Sequence, residues 1–127
     1  MSILEYKNFS VNLKNTNKDL VKHISFNLDK GESLGVVGES GSGKSITALS
    51  ALGLLNKDIF RSSGEIIYDN NNILNLSNEN LSLIRGNELS MIFQEPMLSL
   101  NPVKNLESQI NECVELSNYS ITNKNVI

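Results

Sequence analysis

The sequence has no tryptophan and a single cysteine, Cys113. One thiol cannot close an intramolecular disulfide, and this usage fits a reducing compartment. Basic charge is scarce too. Eleven Lys and Arg stand against 14 Asp and Glu, a formal net charge of −3. That excludes the broad basic field with which proteins hold duplex nucleic acid or an anionic membrane. No stretch approaches the roughly 18 apolar residues that a membrane helix needs. Residues 1–7 show no apolar run behind a basic start. The expectation is a chain without a signal peptide that stays in the cytoplasm and is free to dock on a membrane protein. What is abundant is asparagine, 19 residues in 127. These alternate with periodic apolar positions, so they read as turn and loop filler and not as a prion-like tract. With 39% hydrophobic residues, the chain has material for one core.

Periodicity places the elements. Leu4 and Tyr6, then Phe9, Val11 and Leu13, are spaced by two, as in a strand. Residues 15–19 are polar and read as a turn. Ile24, Phe26 and Leu28 alternate with polar residues, giving a second half-buried strand. Residues 34–37 are apolar on both sides, the pattern of a buried parallel strand. Residues 44–55 lack proline and carry an apolar stripe that includes Ile46, Leu49, Leu52 and Gly53, so a helix is expected. Residues 56–63 read as a loop, 65–68 as a strand and 69–72 as a turn. Ser77 is placed to cap a short helix carrying Leu81 and Ile84, closed by Gly86. Residues 89–93 form a further expected strand. Pro96 and Pro102 bracket a loop, and Leu106, Ile110, Cys113 and Val114 fall on one helical face directed at a core. Residues 118–127 have no clear period, and there is no internal repeat.

The strongest chemical signal is Gly38-Glu39-Ser40-Gly41-Ser42-Gly43-Lys44-Ser45, which satisfies G-x-x-x-x-G-K-[ST] at every specified position. Average residue usage gives a chance match of about 4 × 10⁻⁵ per position, or roughly 0.4% over a chain of this size. The physics explains the spacing. Glycines let the backbone bend around a chain of phosphates and turn its N–H groups inward. The helix that follows offers unpaired N–H groups and the positive end of its dipole. Lys44 supplies a full positive charge toward the β- and γ-phosphates, and the Ser45 hydroxyl is placed to ligate Mg²⁺. The bland alternative is a Gly-Ser turn beside a solvated lysine.

The second signal is Met91-Ile92-Phe93-Gln94-Glu95-Pro96, followed by Ser99-Leu100-Asn101-Pro102. A neutral amide at a strand end can ligate Mg²⁺ through its oxygen and hold a water through its N–H₂. Alone, a glutamine there is more often a surface residue. Together the two signals resemble the N-terminal part of an ATP-binding cassette (ABC) transporter ATPase, in the branch that powers dipeptide and oligopeptide importers. The resemblance is carried by residues 31–45, by Thr47-Ala48-Leu49-Ser50, by Ser63-Gly64-Glu65-Ile66, by Arg85-Gly86-Asn87 and by residues 91–102. The run from 85 to 102 is similar to the microcin C and peptide importer subset. The resemblance extends from Leu4 to about Leu116.

The resemblance implies an α/β fold, a P-loop NTPase of the ABC ATPase type with an N-terminal antiparallel β subdomain and an incomplete core. Residues 1–94 would hold that subdomain and part of the P-loop core. Residues 95–127 would hold the Q-loop and the truncated start of a helical subdomain. Gly38, Glu39, Ser40, Gly41, Ser42, Gly43, Lys44, Ser45 and Ile46 would hold ATP as the Walker A loop, with Ser45 and Gln94 near Mg²⁺. Lys44 and Gln94 would be the catalytic residues. Implied partners are transmembrane permease subunits and a second ATPase cassette, identical or related, at the cytoplasmic face of the membrane; nucleic acid is not among them.

Three positions depart from the family pattern. Where the family has an aromatic ring for adenine, this sequence has Leu13, which offers apolar contact without a π face. Directly after Ser45 stands Ile46, which has only its backbone N–H for the α-phosphate. The sequence also contains no LSGGQ signature, no Walker B Asp-Glu and no switch histidine after the loop. Ile66-Ile67-Tyr68-Asp69 is a faint Walker B decoy that reads as a strand and turn, and His23 reads as a solvated residue. The chain alone is therefore expected not to turn over ATP at a useful rate. The alternative reading is a truncated, non-hydrolysing nucleotide-binding remnant or an inactive fragment. A small kinase or a nucleic-acid ATPase is disfavoured by the β meander before the loop and by the lack of a basic stripe.

Overall fold

The computed structural model describes residues 2–16 and 18–116. The chain divides into two compact units, Met1–Leu81 and Ser82–Ile127. The first is built on a four-stranded antiparallel sheet in the order β2-β1-β3-β4, with β1 Ser2–Leu13, β2 Asp19–Asp29, β3 Phe60–Tyr68 and β4 Asn71–Asn72. The alternation read in the sequence is the reason. It places Tyr6, Phe9, Val11, Val21 and Ile66 in the core. Tyr6 stacks on Phe26 with centroids 4.4 Å apart and meets Phe9 edge-on at 5.3 Å.

The period of two breaks between Tyr6 and Phe9, and the structure shows why. Pairing with β2 shifts register from Tyr6↔Phe26 to Phe9↔Ile24, and pairing with β3 shifts between Lys7↔Glu65 and Ser10↔Ser63. Three residues with positive φ meet at this bulge: Asn8 (47°), His23 (49°) and Gly64 (83°). Side chains secure it. The Asn8 N–H donates to Ser25 Oγ at 2.8 Å, the His23 N–H to Ser10 Oγ at 2.8 Å, and His23 Nδ1 lies 2.8 Å from Asn8 Oδ1. Thus His23 is an exposed member of a bulge, in keeping with its reading as a solvated residue.

Helix α1 (Lys44–Ala51) packs on the sheet, where the Tyr6 hydroxyl donates to the Thr47 carbonyl at 2.8 Å. It is shorter than expected. Gly53 adopts φ 61°, its N–H bonds the Ser50 carbonyl, and the Leu54 N–H bonds the Leu49 carbonyl. Gly53 is therefore the helix stop and not part of its stripe. The expected loop at 56–63 gives way to strand from Phe60, because Phe60, Arg61, Ser62 and Ser63 pair with Leu13, Asn12, Val11 and Ser10. Asp69 and Asn70, both at positive φ, turn β3 into β4. Of the Walker B decoy, residues 66–68 are thus strand and Asp69 alone is in the turn, and the turn expected over 69–72 is confined to Asp69 and Asn70. Asn72 Oδ1 then caps a 3-10 turn, Ile73–Asn75, by accepting the Leu74 N–H at 3.1 Å.

Helix α2 (Asn78–Ile84) begins as the sequence proposes, with the Asn80 N–H donating to Ser77 Oγ at 3.3 Å. Beyond it, Gly86 has φ 80° and the Glu88 and Leu89 N–H groups return to the Ile84 carbonyl. The expected strand at 89–93 does not form. Leu89 makes one isolated bridge to Arg85, and Ile92 is 90% exposed. Helix α3 (Leu106–Leu116) forms where the spacing puts it, but its apolar face is open: Leu106 is 60% and Ile110 58% exposed, and Cys113 is exposed as well. The core role read for Cys113 is corrected accordingly.

The parallel strand expected at 34–37 is also absent. Residues 32–39 have no ladder, and Val37 is 94% exposed. A buried parallel strand needs parallel neighbours, and every ladder among the described strands is antiparallel. No helix among the described residues is long and apolar enough to cross a membrane. Residues 118–127, for which no period was found, lie outside the described residues.

Candidate functional site

Residues 38–46 lie together in the first unit, running from the open segment 32–37 into the first turn of α1. Gly43 is the N-cap of α1, with φ 91°. A Cβ there would sit 2.6 Å from the Leu20 carbonyl oxygen and 2.8 Å from Val21 Cγ2. Glycine at 43 is thus required twice, by conformation and by the close approach of β2. At Gly38 a Cβ would lie 2.6 Å from Ser42 Oγ, and Gly41 has φ 80°. The Ser42 N–H closes the loop on the Glu39 carbonyl at 3.2 Å.

Lys44 folds across this loop. Its Nζ donates to the carbonyls of Gly38 and Glu39, both at 2.6 Å, and to Ser42 Oγ at 3.2 Å. The ammonium is thereby held at the loop. The first helical bond is from the Thr47 N–H to the Gly43 carbonyl at 2.8 Å, with Thr47 Oγ1 on the same acceptor at 2.9 Å. By helix geometry the N–H groups of Lys44, Ser45 and Ile46 precede it and are available to an anion. The first turn of α1 carries no acidic residue to offset the positive end of its dipole. Glu39, Ser40, Gly41, Ser42 and Ser45 are exposed, and Ile46 is half-buried.

Such a set of donors suits a polyphosphate with a divalent ion. It combines backbone N–H groups, one fixed ammonium and one exposed hydroxyl at Ser45, on a loop whose Gly38 and Gly43 leave no room for a side chain. ATP and Mg²⁺ therefore fit the residues present. Beside the loop an open groove of about 610 Å³ is lined mainly by apolar residues, among them Leu20, Val21, Ile24, Phe26, Leu34 and Val36.

Gln94 lies in the second unit, exposed, at a bend before the 3-10 turn Pro96–Ser99. The segment after it is tied to α3 through Gln109. Its Oε1 accepts the Asn101 N–H at 2.8 Å, and its Nε2 donates to the Asn101 and Lys104 carbonyls at 3.2 and 3.0 Å. Leu13 ends β1 opposite Phe60. Two contributors escaped sequence reasoning. The Ser42 hydroxyl occupies an unspecified position of the motif, and Tyr6, which anchors α1, lies 41 residues from Thr47. Among the described residues no group of His, Cys, Asp or Glu is arranged to hold a metal, so within the first unit a divalent ion would rely on Ser45 and on the phosphates themselves.

Comparison with known proteins places the sequence in a family. The family model described as ABC transporter matches residues 21–125. The dipeptide transport ATP-binding protein DppD of Lactococcus lactis is 45% identical over 112 residues, covering 87% of this chain and 32% of the relative. The peptidoglycan transport ATP-binding protein YejF of Agrobacterium fabrum is 50% identical over 97 residues, covering 76% of this chain and 18% of the relative. The oligopeptide transport ATP-binding protein OppD of Haemophilus influenzae is 41% identical over 118 residues, covering 90% of this chain and 36% of the relative. The chain thus spans about a fifth to a third of the length of these relatives. With most of its residues inside the family match and the phosphate-type loop built where the motif lies, the chain belongs to the ABC transporter family.

Proposed function

We propose that this chain is the N-terminal portion of the ATP-binding component of a peptide importer, and that it binds Mg·ATP through residues 38–46. The observation that carries the reading is the Lys44 ammonium, held 2.6 Å from two loop carbonyls at the N-terminus of α1. The backbone N–H groups of Gly41, Gly43, Lys44, Ser45 and Ile46 would surround the phosphates, Ser42 would close the loop beneath them, and Lys44 would offset their charge. Glu39 and Ser40 would shape the mouth of the loop. The Ser45 hydroxyl, with Gln94, would hold Mg²⁺, which when bound neutralises phosphate charge and polarises the γ-phosphoryl group. Gln94 would orient water, and residues 95–102 would couple the ATPase to transmembrane permease subunits at the cytoplasmic face. Residues 1–94 would form the β subdomain with part of the P-loop core, and 95–127 the start of the helical subdomain. A second cassette, the same or related, would complete the ATP site. Importer relatives support the peptide assignment through their names alone.

The test is Lys44→Ala. Calorimetric titration with Mg·ATP is expected to show binding by the unsubstituted protein and at least tenfold weaker binding by the variant. Equal affinity in the two would sink the assignment. A second reading, a nucleotide-binding piece that does not hydrolyse, is favoured by residues 34–37, which have no sheet partner among the described residues. Steady ATP hydrolysis by the 127-residue chain, abolished by Lys44→Ala, would refute it.

A further inference from the structure

We propose that Ser42 is a positioning residue whose hydroxyl holds one N–H of the Lys44 ammonium and competes with phosphate for it; this rests on the phosphate-loop reading above. An ammonium has three N–H donors and accepts nothing. Here the loop supplies three acceptors: the Gly38 and Glu39 carbonyls at 2.6 Å each and Ser42 Oγ at 3.2 Å. The two carbonyl bonds are short and charge-assisted, and their oxygens are fixed by the course of the backbone. Ser42 Oγ makes the longest of the three and belongs to an exposed side chain that can turn to water. A phosphate oxygen that pairs with Lys44 must therefore take the N–H that Ser42 accepts. In this rotamer the hydroxyl lies beside Gly38, where an added Cβ would come within 2.6 Å of it.

The sign of the effect follows. Removing the hydroxyl leaves one ammonium N–H for the ligand, so Ser42→Ala should bind Mg·ATP more tightly. The expected gain is roughly threefold, the scale of one modest solvent-exposed hydrogen bond. Ser42→Thr keeps a hydroxyl and should return the original affinity. A second measurement needs no nucleotide. Amine acylation of the protein, read by mass spectrometry, should proceed faster at Lys44 in Ser42→Ala, with Lys57 as internal reference, and return to the original rate in Ser42→Thr. Tighter binding together with faster labelling of Lys44 supports the proposal. Unchanged or weaker Mg·ATP binding by Ser42→Ala overturns the competition. Unchanged labelling of Lys44 overturns the hold itself. Failure of the phosphate-loop reading shows separately, as Mg·ATP affinity that does not respond to Lys44→Ala.

Discussion

Tyr6 is the residue that connects the sheet to the candidate site. It is 2% exposed, and its hydroxyl reaches the Thr47 carbonyl in α1, the helix whose N-terminus carries the loop. Burial pushes its phenol above the ordinary value. The linkage has a definite sign. Below about pH 10 the phenol is protonated in both folded and unfolded chains, and its contribution is fully present. Above that pH the unfolded chain ionises first, so stability falls as pH rises toward the higher folded value. Tyr6→Phe should cost about 1–2 kcal/mol at neutral pH, because the buried hydrogen bond to the Thr47 carbonyl is lost. It should also flatten the alkaline decline. Urea midpoints measured from pH 7 to 11 check both statements, and parallel declines for the two proteins would contradict the second. The alternation of Leu4 and Tyr6 made the buried face legible in the sequence. The partner of the hydroxyl was not, because nothing local records a contact across 41 residues.

At the scale of elements, the bulge across β2, β1 and β3 decides the register. The broken period between Tyr6 and Phe9 was visible in the sequence, but its cause was not. Gly64 lies far along the chain and answers the kink by letting β3 pass close to β1. A Cβ at 64 would meet the Lys7 carbonyl oxygen at 2.6 Å, on a backbone with φ 83°. Gly64→Ala should therefore destabilise the first unit by about 2–4 kcal/mol, through strain and a shifted register together. Thermal unfolding followed by circular dichroism measures this, and an unchanged midpoint would show that the bulge tolerates a side chain. The same logic explains which elements were read correctly. Helices with local signals, such as Ser77 before α2, were found. Segments whose state depends on distant partners, residues 34–37 and 89–93, were not, because an apolar run becomes a strand only when neighbouring strands satisfy its backbone.

At the scale of the molecule, the proposed work divides between the two units. The phosphate loop, α1 and the glycine seat against Leu20 and Val21 all belong to the first, and Gln94 belongs to the second. The course of the loop was legible, apart from the Ser42 hydroxyl, because its signals are local: eight consecutive residues carry their own turn, dipole and charge. Gln94 was legible only as part of a longer pattern, since a lone exposed amide has no such signature. Binding and turnover should separate along this division. The loop contributes charge and N–H donors that act on the bound ground state. Gln94 would add one neutral oxygen to Mg²⁺ there, a small term beside the loop, whereas its amide orients water only as the reaction proceeds. In the complete ATPase, Gln94→Ala is expected to leave Mg·ATP affinity within about twofold and to lower the hydrolysis rate at saturating ATP by roughly tenfold or more. Lys44→Ala is expected to lower affinity first. Calorimetry and steady-state phosphate release, run on the same preparations, distinguish the two. If Gln94→Ala weakened binding as much as Lys44→Ala, Gln94 would belong with the ground-state donors and its proposed part in turnover would be wrong.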